Sequence, residues 1–250
     1  MKKATILACL LFTLFSCTKD DTSKLRIATS ANMQFAIVAL EKAFEQETGT
    51  DIDIILGSSG KLTAQILAGA PYDLFLSADL KYAQKLFEEG VSEDEPIIYA
   101  YGKLVIWSSL DSALTNSQET DLRTMKMAMA NPKTAPYGQA TAQYLKTTGD
   151  WDKLSDRLVY GESISQVNQF LASGAVQVGF TSKSSMFSEA FKGKGYWTEI
   201  PSAMYQPLAQ AMVQLNSRPA LKNETKAFYN FLLSETGQSI LKDYGYASGQ

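Results

Sequence analysis

The sequence predicts an α/β protein of two lobes, each a sheet flanked by helices, with a cleft between them and two strand crossings joining them. Three observations carry this. Short apolar runs alternate with helical patterns through residues 24–250. The alternation is broken by a long extended apolar stretch and restarts near Lys126. A second extended stretch, Pro207 to Leu215, returns before the last helices. Strands separated by helices of this length imply parallel sheets with helices on both faces.

Leu25 to Ser30 (LRIATS) reads as a buried strand. After it Phe35, Ala36, Ala39, Leu40, Ala43 and Phe44 recur at helical spacing, and Gly49 supplies the C-cap. DIDIILG is a strand, Lys61 to Ala68 a helix followed by Gly69, YDLFLSA a strand, and Tyr82 to Glu89 a helix stopped by Gly90. After Pro96, IIYAYGKLVIWSS is the first extended stretch. In the second series KMAMANP is a strand, Gly138 to Thr148 a helix ended by Gly149, and RLVYGES a strand. Ser165 to Ala172 is a helix before Gly174, and AVQVGFT and GYWTEI are strands. PLAQAMVQL is extended again, and Leu221 to Leu233 and Gln238 to Tyr244 close the chain as helices. The chain thus crosses between lobes at about Ala100 to Trp107 and returns at about Pro207 to Leu215. Lobe 1 takes residues 25–102 and 210–250, and lobe 2 takes 103–209.

MKKATILACLLFTLFSC precedes the first strand, with Lys2 and Lys3, an apolar run from Ala4 to Phe15, and Ser16 before Cys17. The run is shorter than the roughly 20 residues of a bilayer crossing and has the layout of a secretory signal. Leu14-Phe15-Ser16-Cys17 resembles the lipobox of bacterial lipoproteins. Residues 1–16 are therefore expected to be a signal peptide, Cys17 the lipidated residue, and residues 17–24 a polar tether. The expected location is the periplasm or cell envelope, anchored to the membrane. Losing Lys2 and Lys3 takes the formal net charge from −3 to −5, a poor balance for a nucleic-acid partner. It also removes Cys9. With no histidine and one cysteine left, disulfides, Cys/His metal sites and Ser-His or Cys-His catalytic pairs are excluded.

Four strand-to-helix turns share one chemistry. They are TSANMQ (Thr29 to Gln34), GSSGK (Gly57 to Lys61), APYGQA (Ala135 to Ala140) and GESISQ (Gly161 to Gln166). Each offers N–H groups at a helix start together with Ser, Thr, Asn or Tyr donors, and none carries a general base. Any one of them is explained by an ordinary N-cap, worth about 1 kcal/mol. Two per lobe, at the strand ends where open α/β sheets hold ligands, make a cradle for an anion. Each helix start carries roughly +0.5 charge, so four supply about +2. GSSGK admits a third reading. A P-loop needs four residues between its glycines and Ser or Thr after the lysine, and this turn has neither. Ser58 to Lys61 does match the S-x-x-K of serine acyl-transferases, although neither S-D-N nor K-T-G accompanies it.

GAPYDLFLSAD (Gly69 to Asp79) resembles the G-A-P-x-D-[LV]-F-[IL]-S-A-D segment of the substrate-binding proteins of bacterial molybdate ABC importers. NPKTAPYGQAT (Asn131 to Thr141) and TKAFYNFLLS (Thr225 to Ser234) are similar to two further segments of that family, so the likeness covers nearly all of the chain after the tether. The resemblance implies a type II periplasmic-binding-protein fold, mixed sheets flanked by helices, that closes over a tetrahedral oxyanion. It implies molybdate or tungstate as cargo, an inner-membrane ABC permease as partner, a monomer, no cofactor and no enzymatic activity. It also carries over binding positions one at a time: Asn32 with the N–H of Ala31, and Ser30 beside them; Ser59 with Ser58 adjacent; Tyr137; Ile164 through its N–H; and Ser182, where some members have tyrosine. A serine reaches less far, so either Tyr137 takes over that role or the site uses fewer donors. Neutral donors exclude protonated oxyanions, and cavity size separates molybdate and tungstate from sulfate.

The alternatives are a receptor for sulfate or another oxyanion, and a serine acyl-transferase or hydrolase built on Ser58 and Lys61. Asp73 and Asp79 read as caps or surface charges, and Trp107, Trp151 and Trp197 as packing. Lys183, Lys192 and Lys194 read as a solvated face or a transporter contact.

Overall fold

Both series of strands form sheets, and the two extended stretches carry the chain between them. The computed structural model describes residues 24–92, 94–110 and 125–249. Cys17, the expected signal peptide and the tether up to residue 23 lie outside the described residues. The first series comprises β1 (Leu25–Ser30), α1 (Ala36–Thr48), β2 (Ile52–Gly57), α2 (Ser59–Leu67), β3 (Leu74–Ser77), α3 (Leu80–Glu88) and β4 (Ile97–Gly102). Lys103 alone separates β4 from β5 (Leu104–Ser108), the first strand of the second sheet. There follow β6 (Met127–Ala130), α4 (Pro136–Thr147), α5 (Trp151–Leu154), β7 (Leu158–Gly161), α6 (Ile164–Ala172), β8 (Val178–Ser182) and β9 (Tyr196–Glu199). β10 (Leu208–Gln214) returns to the first sheet, and α7 (Lys222–Leu233), α8 (Glu235–Asp243) and β11 (Ala247–Ser248) complete that lobe.

The sheet orders are β11-β4-β10-β3-β1-β2 and β7-β6-β8-β5-β9. β1 runs parallel to β2 and β3, and β6 parallel to β7 and β8. β10 is antiparallel to β3 and β4, and β5 antiparallel to β8 and β9. Strand–helix alternation alone points to parallel strands, whereas the sheets are mixed, as the family resemblance implies. The exceptions include the two crossing strands, which enter a sheet from the other lobe rather than over a crossover helix, and only that helix obliges successive strands to run the same way.

The first sheet is buried on both faces by side-chain alternation. Leu74 and Leu76 pack with Leu40, Phe44, Phe228 and Leu241 on one side, while Phe75 between them packs with Leu62 and Leu86 on the other. Phe44 and Phe228 meet edge to face, with ring centroids 5.1 Å apart at 77°, a geometry that adds about 0.5–1.5 kcal/mol beyond burial. Two aspartates differ from each other. Asp79 caps α3, accepting the Tyr82 N–H at 3.1 Å. Asp73 is no surface charge: it is 1% exposed and accepts from the Arg26 N–H at 2.7 Å and from Arg218 Nη1 at 2.8 Å. Trp107 is buried as expected, whereas Trp197 is exposed on β9 at the sheet edge.

Candidate functional site

The parallel strands of both sheets deliver their carboxyl ends to the space between the lobes. β1 runs into a 3-10 turn (Ala31–Met33), β2 into α2, and β7 into α6, while β6 reaches α4 through the Asn131–Ala135 loop. Ser30, Ala31, Asn32, Ser58, Ser59, Ala78, Ala135, Pro136, Tyr137 and Ile164 line one cavity there of about 10 Å³, room for a single water-sized sphere. None of these side chains carries a charge.

The donors facing this cavity are underused by the protein. The hydroxyls of Ser30 and Ser58 are buried and have no hydrogen-bond partner. Ser59 Oγ accepts the Ala78 N–H at 3.0 Å, which leaves its own proton to donate. The N-cap residues of α2, α4 and α6, namely Ser58, Ala135 and Ser163, make no side-chain cap bond. Of the other helices, α3 is capped by Asp79 and α8 by Ser234, while the N-cap residues of α1, α5 and α7 make no side-chain cap bond. Ser58 is thus a serine in a capping position that leaves its roughly 1 kcal/mol cap unmade. The first turn departs from expectation, because a three-residue 3-10 turn stands there and α1 begins only at Ala36. Three helix N-termini therefore face the cleft, and their combined charge is about +1.5 rather than +2.

Asn32 lines the cavity with its amide already committed. Its Nδ2 donates to Gln210 Oε1 at 2.7 Å and to Tyr246 Oη at 2.9 Å, so only its backbone remains to face a ligand. Tyr137 is fully buried, and its ionisation is pushed well above the ordinary range by burial and by the neighbouring Tyr246, Tyr205 and Tyr99. Its hydroxyl sits where a Cβ on Gly102 would be, so glycine at the end of β4 makes room for it at the crossing. Ser182 is the one carried-over position that does not reach the cavity. It is buried, and its hydroxyl is bonded to Ser184 at 2.9 Å and Ser185 at 2.8 Å.

The lobes touch around this cavity. The Gly60 N–H donates to Thr134 O at 2.9 Å, Tyr82 Oη to Lys133 O at 3.3 Å, and Ser184 Oγ to Asn32 O at 2.7 Å. Lys61 pairs with Glu162, and Ser165 bonds to Gln34. Ala31 and Ala78 of the first lobe pack into the apolar cluster of the second.

A cleft lined by neutral donors between two α/β lobes is suited to holding a solute. The profile of bacterial extracellular solute-binding proteins fits residues 25–247. The chain belongs to that family. This solute-binding protein is 34% identical over 224 residues, 88% of its own chain and 87% of the relative, to the molybdate-binding protein ModA of Rhodobacter capsulatus. It superposes on the periplasmic molybdate-binding protein of Azotobacter vinelandii with a TM-score of 0.84 at 32% identity, covering 91% of this chain and 100% of that one. The sulfate-binding protein SubI of Mycobacterium tuberculosis matches with a TM-score of 0.71 at 14% identity, over 90% of this chain and 86% of that one, a likeness of fold alone.

Ser30, Ala31, Asn32, Ser58, Ser59, Tyr137 and Ile164 of the solute-binding protein come together in the cavity, and Ser182 stays behind it. Ala78, Ala135 and Pro136 were not singled out in the sequence, yet Ala78 follows a strand that ends at the cleft, which is the signal that would have found it. Gln210 and Tyr246, the partners of Asn32, were also missed. A glutamine inside the apolar run PLAQAMVQL is the corresponding clue, since a buried amide needs partners. Among the described residues no group of three or more His, Cys, Asp or Glu side chains is placed to hold a metal ion.

Proposed function

We propose that the protein binds molybdate, and tungstate with it, between its lobes outside the cytoplasm and presents the ion to an ABC permease. The supporting observation is the pair of buried, unpartnered hydroxyls of Ser30 and Ser58 in a cavity edged by uncapped helix starts. A buried donor without an acceptor costs about 1–3 kcal/mol. A tetrahedral dianion, all acceptor and negatively charged, relieves that cost, and the helix N-termini balance its charge. The donors assigned to it are the Ser30, Ser58 and Ser59 hydroxyls and the N–H groups of Ala31, Asn32, Tyr137 and Ile164. The likeness to the Rhodobacter and Azotobacter molybdate-binding proteins supports the cargo.

The working cycle is binding without catalysis. Residues 25–102 with 210–250, and residues 103–209, act as the two bodies. A five-atom oxyanion needs more room than about 10 Å³, so the bodies part to admit it and close with it bound. Lipidated Cys17 keeps the monomer at the membrane beside its permease. A serine acyl-transferase is disfavoured, because Lys61, the base that the S-x-x-K reading would use, is engaged by Glu162.

Thermal unfolding of the purified full chain with molybdate, tungstate, sulfate and phosphate tests this reading. Molybdate or tungstate at 100 times its dissociation constant should add about 2.7 kcal/mol of stability. A matching response to sulfate would reassign the cargo. No response to any of the four would overturn oxyanion binding.

A further inference from the structure

Behind the cavity lies a run of buried hydroxyls that the ligand site does not use. Thr181, Ser182, Ser184 and Ser185 belong to the end of β8 and the 3-10 turn after it (Lys183–Phe187), and Asn168 belongs to α6. All five are at least nine-tenths buried. Each serine has one proton, and counting protons from the far end fixes the direction of every bond. Ser184 gives its proton to Asn32 O at 2.7 Å, since a carbonyl can only accept. Ser182, 2.9 Å from Ser184, must then donate to it. Ser185, 2.8 Å from Ser182, must donate in turn. Asn168 Nδ2 supplies Ser185 at 2.9 Å, and Asn168 Oδ1 is held by the Thr181 hydroxyl at 2.6 Å. The chain therefore points one way, from a side chain on the helix whose first residue lines the cavity to a backbone carbonyl in the opposite lobe.

That carbonyl belongs to the turn whose other atoms face the cavity. Asn32 O also accepts from Tyr246 Oη at 3.0 Å, and the Asn32 amide is tied to Gln210 and Tyr246, so the turn that follows Ser30 is anchored at Asn32 within its own lobe. Only the Ser184 contact in this set comes from lobe 2. When the lobes part, Asn32 keeps Tyr246 while the serine chain loses its terminal acceptor.

Resting on the oxyanion-binding reading, we infer that Asn168, Ser185, Ser182 and Ser184 form a one-way hydrogen-bond chain that locks the closed lobes, with Ser184 and Asn32 as positioning residues that slow ligand escape. Aligned hydroxyls polarise one another, so the last bond is strengthened by those before it. This also accounts for serine at position 182. Its hydroxyl works behind the cavity as a link between lobes.

The test is stopped-flow protein fluorescence of the full chain with sodium molybdate, comparing wild type, Ser184→Ala and Ser184→Thr. The ion enters the parted lobes before the lock re-forms over it, so Ser184→Ala should release molybdate about tenfold faster while the association rate does not fall. Ser184→Thr, which keeps the hydroxyl, should restore slow release. The unfolding temperature without ligand should fall in Ser184→Ala, which leaves the buried Ser182 proton without its acceptor, and recover in Ser184→Thr. A wild-type release rate in Ser184→Ala overturns the lock, as does an association rate that falls by the same factor, which would mean a damaged site. Ser182→Ala keeps the Ser184–Asn32 bond but removes its polarising donor, and should speed release by a smaller factor. An unchanged rate there, should Ser184→Ala fail to fold, likewise overturns the lock. Absence of any oxyanion response in the wild-type chain overturns the binding reading and the lock with it, whereas a normal wild-type response with unaltered variants overturns the lock alone.

Discussion

Gly60 donates its N–H to the Thr134 carbonyl of the other lobe at 2.9 Å, and a Cβ on Gly60 would stand 2.8 Å from that same oxygen. The absence of a side chain is therefore what lets these two backbones meet. Gly60→Ala should weaken molybdate binding at least tenfold, because a backbone oxygen cannot step aside and the Tyr82 ring, whose Oη and Cζ would lie 2.9 Å and 3.0 Å from the methyl, would have to shift as well. Within α2, alanine is the better helix former by about 0.5–1 kcal/mol, which offsets part of the crowding in the ligand-free protein, so its stability should fall less than its affinity. Calorimetric titration and thermal unfolding together separate the two effects, and a variant that binds normally would show that this contact does not limit closure.

Ser30→Ala and Ser58→Ala should each cost about 1–3 kcal/mol of molybdate affinity. Neither should destabilise the ligand-free chain, because each removes a buried hydroxyl that has no partner, and Ser58 makes no cap bond that could be lost. Titration of each variant, with its unfolding midpoint in denaturant, checks both signs at once.

Binding should be insensitive to pH while stability is not. The Tyr137 and Tyr246 hydroxyls are pushed above the ordinary tyrosine range by burial, which keeps them neutral, and no charged side chain lines the cavity. Molybdate affinity should therefore be flat from about pH 6 to pH 9. Glu199 behaves differently. Partial burial works to raise its pKa, but Lys183 and Lys103, 2.8 Å and 3.3 Å away, prevail and lower it. A carboxyl lowered on folding contributes stability above its unfolded pKa, and that contribution is lost as pH falls through the folded value. Glu199→Gln should flatten the acid side of a plot of unfolding temperature against pH.

Lys61 and Glu162 face each other across the cleft with side chains 46% and 67% exposed. So exposed a pair is worth at most about 1 kcal/mol. Lys61→Ala should keep molybdate binding within a few fold of wild type, with the difference vanishing near 1 M salt. A double-mutant cycle with Glu162→Ala measures the coupling. Loss of binding in Lys61→Ala would mean that the ammonium acts on the ion itself.

The strand–helix order was legible because apolar runs of strand length, helical spacing and terminal glycines agree at almost every element, as at Gly49, whose φ of 70° closes α1. What was not legible depended on partners distant in sequence. IIYAYGKLVIWSS is apolar throughout, so nothing in it marks Lys103 as the point where one sheet ends and another begins. Asp73 reads as surface until Arg218, far along the chain, is folded against it. Asn32 and Ser182 are the right residue types for an anion site, and only the placement of Gln210, Tyr246, Ser184 and Ser185 shows where their hydrogen bonds go.

The sheet orders also set a timetable for folding. Every strand of the second sheet lies between Leu104 and Glu199, a continuous stretch that is complete before Leu208 emerges. The first sheet has β10 between β3 and β4, so its middle stays open until that late strand arrives. Chains fold by domains as their parts become available, which makes lobe 2 the early domain. The half-built sheet of lobe 1 presents the unpaired edges of β3 and β4 throughout that interval, so strand-to-strand association between incomplete chains is expected there rather than in the lobe already closed.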